Sequence, residues 1–190
     1  INVQGETNLL NGRGIDIRDS SGITITNLGT ITTAGNDPYD IYVRGTTTLA
    51  TLNNRQSGLT YYGKIPTNYN AVINSTSDYG KIIFSTVSGT TSFGIYDGSV
   101  LQNNTTYLSV MDGLEASNIT AGYSGDYSYD GKTWAWTLEN SSANLWDLAV
   151  GDCIGCITED TTTDTTTDTT TDTTTEDTTT EDTTTEDTTT

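Results

Sequence analysis

The chain has 190 residues and a formal net charge of −18, with 7 basic residues against 25 acids and no histidine. All seven cations and 14 of the acids precede Thr158, so the body stands at 7 − 14 = −7 and the remaining 11 acids fall in the Thr/Asp/Glu tail. A balance this acidic excludes duplex DNA and anionic membrane surfaces as partners, since both need clustered Lys and Arg. The lack of histidine removes the commonest general base and His-based metal sites.

Thr, Asn, Ser, Gly and Tyr dominate the body. Helix formers are scarce, and β-branched and aromatic residues recur in short alternating runs, which predicts an all-β fold. The chain opens on Ile1 and already reads as sheet, which suggests a processed chain or a piece of a longer one. No apolar run is long enough to span a bilayer as a helix, so no membrane insertion by this chain is expected.

Residues 1–58 contain two echoes. Ile15-Asp16-Ile17-Arg18 resembles Ile41-Tyr42-Val43-Arg44, and Ile25-Thr26-Asn27-Leu28 resembles Leu49-Ala50-Thr51-Leu52. Two motifs repeating at nearly one period predict solenoid coils in which Ile15 stacks on Ile41 and Ile17 on Val43. A pair of similar strands in an ordinary sandwich is the other reading. Asp16 and Asp19, with Arg18 between them, form the one compact carboxylate pair, and Asp19 opens the turn Asp19-Ser20-Ser21-Gly22.

Residues 59–150 read as an antiparallel sandwich or meander. The stretches around Tyr61–Ile65 and Tyr79–Ile82 share a YGKI core without a period between them, and turn residues separate the alternating runs that follow. The sharpest local signal is Asp130-Gly131, which predicts a two-residue hairpin turn with both residues at positive φ. Pairing outward from it sets Tyr129 opposite Lys132, Tyr127 opposite Trp134 and Tyr123 opposite Leu138. Tyr127, Tyr129, Trp134 and Trp136 then share an aromatic face, which is either core or an exposed platform for stacking on glycans. Asp126, Ser128 and Asp130 place oxygens at alternate positions before Gly131, as at the start of a calcium loop, though Thr137 stands where the closing acid belongs.

Cys153 and Cys156, in residues 151–157, are the only cysteines. Four zinc ligands are unavailable, so the pair reads as a local disulfide in an oxidising compartment or as a cross-link between chains. Five Asn-x-Ser/Thr sequons, at Asn74, Asn103, Asn104, Asn118 and Asn140, are candidate glycosylation sites. Residues 158–190 have nothing to bury, and read as an extended solvated spacer reaching at most ~100 Å at about 3.3 Å per residue.

Ile25-Thr26-Asn27-Leu28-Gly29-Thr30-Ile31 resembles the I-x-N-x-G-T-I coil of autotransporter-type β-helical surface proteins. YYGKIPTNYNAVINSTSDYGKI (61–82), FGIYDGS (93–99) and WTLENSSANLWDLAV (136–150) are similar, in order, to the C-terminal part of passenger regions in such proteins. The resemblance implies a right-handed β-helix, a location outside the cell or on its surface, and roles in adhesion, aggregation or display. It implies no catalytic residues. The Thr/acid tail stands where a membrane barrel would follow.

The expected function is therefore a structural protein, not an enzyme. It would assemble with itself into a fibre or surface layer by pairing exposed sheet edges, or its N-terminal strand Ile1–Gln4, with a neighbour. A displayed glycan-binding adhesin is the alternative. A polysaccharide-active enzyme using Asp16 and Asp19 is the least favoured. No cofactor is expected beyond a candidate calcium ion.

Overall fold

The structure is a computed structural model and describes residues 1–3, 6–9, 12–35 and 38–156. The sequence-based readings of Gln4 and of the tail lie outside these residues. Sixteen strands are described: β1 (Asn2–Val3), β2 (Glu6–Leu9), β3 (Ile15–Ile17), β4 (Ser21–Asn27), β5 (Thr30–Thr33), β6 (Ile41–Val43), β7 (Thr48–Asn54), β8 (Leu59–Lys64), β9 (Asn68–Ala71), β10 (Ile82–Ser88), β11 (Thr91–Ile95), β12 (Thr105–Asp112), β13 (Ile119–Ala121), β14 (Ser124–Tyr129), β15 (Lys132–Ser142) and β16 (Leu145–Ile154).

The chain is a β-solenoid closed by a meander. Successive coils stack strands in parallel into two long sheets. One sheet runs β1-β4-β7-β9-β11-β13 and the other β14-β15-β16-β12-β10-β8-β6-β3, while β2 and β5 form a short third wall. The expected stacking of Ile15 on Ile41 and Ile17 on Val43 is the observed register of β3 on β6. The second echo is displaced. Ile25 pairs with Leu52 and Ile23 with Leu49, past register shifts at Ser21/Ile23 and Ile23/Thr24, so the repeat is longer than the echo of Ile25–Leu28 on Leu49–Leu52 implies.

The solenoid does not end at Gly58. β8 lies parallel to β6 on one side and β10 on the other, and β9, β11 and β13 continue the first sheet. The antiparallel region expected from Leu59 is confined to β12, β14, β15 and β16. The reason is a change of coil length. The core positions Ile15, Ile41, Tyr61 and Phe84 stack in sequence at intervals of 26, 20 and 23 residues, so no constant period survives. The shortening coincides with loss of the third wall, because the turn after Asn54 replaces a strand with a side chain. Gln56 Nε2 donates to Ile31 O (2.8 Å) and Gln56 Oε1 accepts from Ile31 N (2.7 Å), so one amide plays the part of a peptide unit along the free edge of β5. Asn27, fully buried, makes the corner before β5, its Oδ1 accepting from Gly29 N (3.3 Å) and its Nδ2 donating to Asn54 Oδ1 (3.1 Å).

Core side chains enlarge along the axis. In the six-stranded sheet the inward ladder reads Ile25, Leu52, Tyr69, Phe93, and in the eight-stranded sheet Ile41, Tyr61, Phe84. Edge-to-face and tilted ring contacts link Tyr61, Phe84, Tyr69, Phe93 and Trp136 into one aromatic chain. Buried rings with a polar atom find partners: Tyr69 OH donates to Val110 O, Tyr79 OH to Leu108 O, Tyr127 OH to Ser99 O and Trp146 Nε1 to Leu114 O. Burial raises the phenol pKa of both Tyr61 and Tyr69 far above the ordinary value, so both remain neutral donors.

Candidate functional site

Three places on the described surface bear on function: the aromatic hairpin, the free sheet edges, and the outer face of β3, β6 and β8.

The hairpin forms as its turn residues dictate. Asp130 and Gly131 sit at φ 51° and 71°, Tyr127 pairs with Trp134, Tyr129 with Lys132, and Leu138 N donates to Tyr123 O (2.7 Å). Its aromatic face is core rather than platform. Tyr127, Trp134 and Trp136 are only 7%, 5% and 8% exposed, and Tyr129 alone, at 43%, reaches solvent. Trp136 lies 5.6 Å from Phe93 across the end of the solenoid, and Trp134 Nε1 donates to Asn103 Oδ1 (2.8 Å). A solenoid must cover the apolar end of its last coil, and these rings do so. The glycan-stacking reading of this face is thereby corrected.

Asp126 and Ser128 lie along the exposed face of β14 and Asp130 in its turn, with Ser128 Oγ 2.8 Å from Thr133 Oγ1. On a straight strand alternate oxygens project side by side instead of converging as they do in a calcium loop. Among the described residues no group of three or more acidic or Cys side chains is placed to hold a metal ion.

Cys153 and Cys156 form a disulfide within the chain, Cα–Cα 5.6 Å, so they do not cross-link chains here. Cys153 stands opposite Trp134 in β16, and Gly155 abuts the hairpin turn at Gly131. The sequon asparagines differ in availability. Asn74, Asn103, Asn104 and Asn140 are exposed, whereas Asn118 is half-buried and its Nδ2 donates to Gly89 O (3.0 Å). Asn74 Nδ2 donates to Asp78 Oδ2 (2.9 Å) and Asn104 Nδ2 to Asp152 Oδ1 (2.6 Å).

Among the described residues the eight-stranded sheet has two free edges, β3 and β14. The N-terminal strand expected to pair with a neighbour is held within its own sheet. Asn2 and Val3 pair with Thr26 and Asn27, Ile1 O accepts from Thr26 N (2.8 Å), and the terminal ammonium donates to Thr24 O (2.9 Å).

On the outer face, Asp16, Tyr42 and Tyr62 stand in register on β3, β6 and β8. Two residues further on, and thus on the same face, come Arg18, Arg44 and Lys64. Asp16 takes both guanidinium groups: Arg18 Nε and Nη2 at 3.1 and 2.8 Å, and Arg44 Nε and Nη2 at 3.1 and 2.9 Å. The Arg18 hydrogen bonds hold its pKa below the ordinary carboxylate value. An acid so saturated is a poor general base, and Asp19 occupies a turn at φ 50°. Tyr42 stacks on Tyr62 with centroids 4.5 Å apart and planes 10° apart, Tyr39 approaches Tyr62 at 4.8 Å, and Arg13 lies 3.5 Å over Tyr42. Sequence reasoning singled out Asp16 and Arg18 but missed Tyr39, Tyr42, Tyr62, Arg44 and Lys64. The recurring Tyr-x-Arg and Tyr-x-Lys was the available signal, readable once the shortened coil is known.

No protein-family model, curated protein or solved structure matches the chain.

Proposed function

We propose that this protein is a structural subunit of the cell exterior, as its resemblance to autotransporter-type surface proteins suggests, and that it assembles with copies of itself by β-strand pairing. The observation that carries this reading is the pair of free edges on one continuous sheet, β3 at one end and β14 at the other. An edge strand presents a row of unpaired N–H and C=O groups, and joining β3 of one copy to β14 of the next is a heterologous contact, which propagates as a filament where its rotation does not close into a ring. The disulfide supports an oxidising compartment, and so an extracellular or surface location. In this reading the acidic Thr tail supplies spacing and a hydrated, like-charged coat.

The test is negative-stain electron microscopy beside sedimentation of the full chain and of Asp126→Pro. The bond from Leu138 N to Tyr123 O sets the alternation in which Tyr127 faces β15 and Asp126 turns its backbone outward. Proline there removes an edge donor but no ladder bond. Filaments from the native chain and their loss in Asp126→Pro, with folding unchanged, are expected. A monodisperse monomer at high concentration refutes the proposal.

A further inference from the structure

Three of the seven cations of this acidic chain, Arg18, Arg44 and Lys64, gather on the outer face of β3, β6 and β8, an arrangement that is costly by itself. Arg18, Arg44 and Lys64 follow the paired positions Ile17, Val43 and Gly63, so they form one column along the solenoid axis. Adjacent strands are about 4.8 Å apart, so the column spans about 10 Å. Like charges facing each other on neighbouring strands repel. Asp16 answers Arg18 and Arg44 together, and Lys64 has no ion pair among the described residues. Beside this column runs the second one, of Tyr42 and Tyr62. An open groove of about 490 Å³ lies at their junction, lined by Tyr42, Arg44, Tyr62, Gly63, Lys64 and Ser88. Its floor is backbone, because Gly63 lies so close to Val43 O that a Cβ there would meet it at 1.9 Å.

We infer that this groove binds a linear acidic polysaccharide laid along the solenoid axis. Carboxylates spaced along such a chain meet one cation per coil and relieve the repulsion within the column. The half-buried Tyr62 offers its ring edge and hydroxyl to the sugars, its faces being taken by Tyr42 and Tyr39. The body's net charge of −7 does not forbid this, because at physiological salt fields are screened beyond about 8 Å. The face thus differs from the hairpin face that the sequence suggested, and the inference does not depend on filament formation.

The full chain is titrated by calorimetry at physiological salt with polyglucuronate and with a neutral glucan, the same sugar without carboxylates. Polyglucuronate is expected to bind, the glucan to bind weakly or not at all, and added salt to weaken the complex. Lys64→Gln, which breaks no ion pair among the described residues, should weaken polyglucuronate about tenfold, and Lys132→Gln, on the hairpin, should leave it unchanged. Tyr62→Ser, with folding checked by circular dichroism, should reduce polyglucuronate binding more than that of polyglutamate. Failure of polyglucuronate to bind, or indifference to Lys64→Gln, overturns the site. Polyglutamate or oligothymidylate binding as tightly as polyglucuronate overturns the polysaccharide assignment.

Discussion

Gln56 replaces a strand with a side chain, and that substitution is open to direct test. Its amide makes four hydrogen bonds: with Ile31 N (2.7 Å), Ile31 O (2.8 Å), Asn27 Nδ2 (3.1 Å) and Asp40 Oδ2 (3.4 Å). Gln56→Ala deletes all four. Three short bonds at a net 0.5–1.5 kcal/mol each give roughly 1.5–4.5 kcal/mol. The site borders an open groove of about 620 Å³ lined by Thr30–Thr33 and Gln56. Water entering there replaces part of the loss, so about 2 kcal/mol is expected. For a body of this size that lowers Tm by about 4–8 °C. Gln56→Glu is the sharper probe. It keeps an acceptor for Ile31 N, loses the donor to Ile31 O, and sets a carboxylate against Asp40. At neutral pH it should be at least as destabilising as alanine, and it should recover as acid protonates the new carboxyl. Thermal unfolding followed by circular dichroism across pH measures both. A change below about 0.5 kcal/mol for Gln56→Ala, or a Gln56→Glu variant indistinguishable from the native chain at pH 7, refutes the claim that this amide seals the edge.

Gly63→Ala should cost on the order of 3 kcal/mol, because φ is +105° and the new Cβ meets the Val43 carbonyl. Gly22→Ala, at φ +71° with open space around it, should cost only about 1 kcal/mol, and urea titrations compare the two. Reducing Cys153–Cys156 opens a small loop and should cost no more than about 2 kcal/mol, with filaments unchanged, as sedimentation with reductant will show. Asp16 has a folded pKa below its unfolded one, so its contribution is present above the unfolded value and lost as pH falls through the folded value. The stability gap between the native chain and Asp16→Asn should therefore be constant at neutral pH and shrink below about pH 4, as denaturant melts at stepped pH will measure.

The sequence by itself determined the local structure. Alternation and β-branching fixed strands, Asp130-Gly131 fixed the hairpin and its register, and the match of Ile15–Arg18 to Ile41–Arg44 fixed the first coils. These are short-range effects, because φ preference and a two-residue period are written in neighbouring residues. Partners for β8 to β12 were decided only in the tertiary structure. Whether Tyr61 pairs antiparallel with the next strand or parallel with Ile41 depends on coil length, and coil length changed where Gln56 took over from a strand. The aromatic face of the hairpin likewise carries the same residues whether buried or bare. It is buried because Phe93 and the last coil need a lid, and no local pattern in the sequence records that need. The cation column is the same lesson at the surface, since residues 18, 44 and 64 are neighbours only through the stacking of three coils.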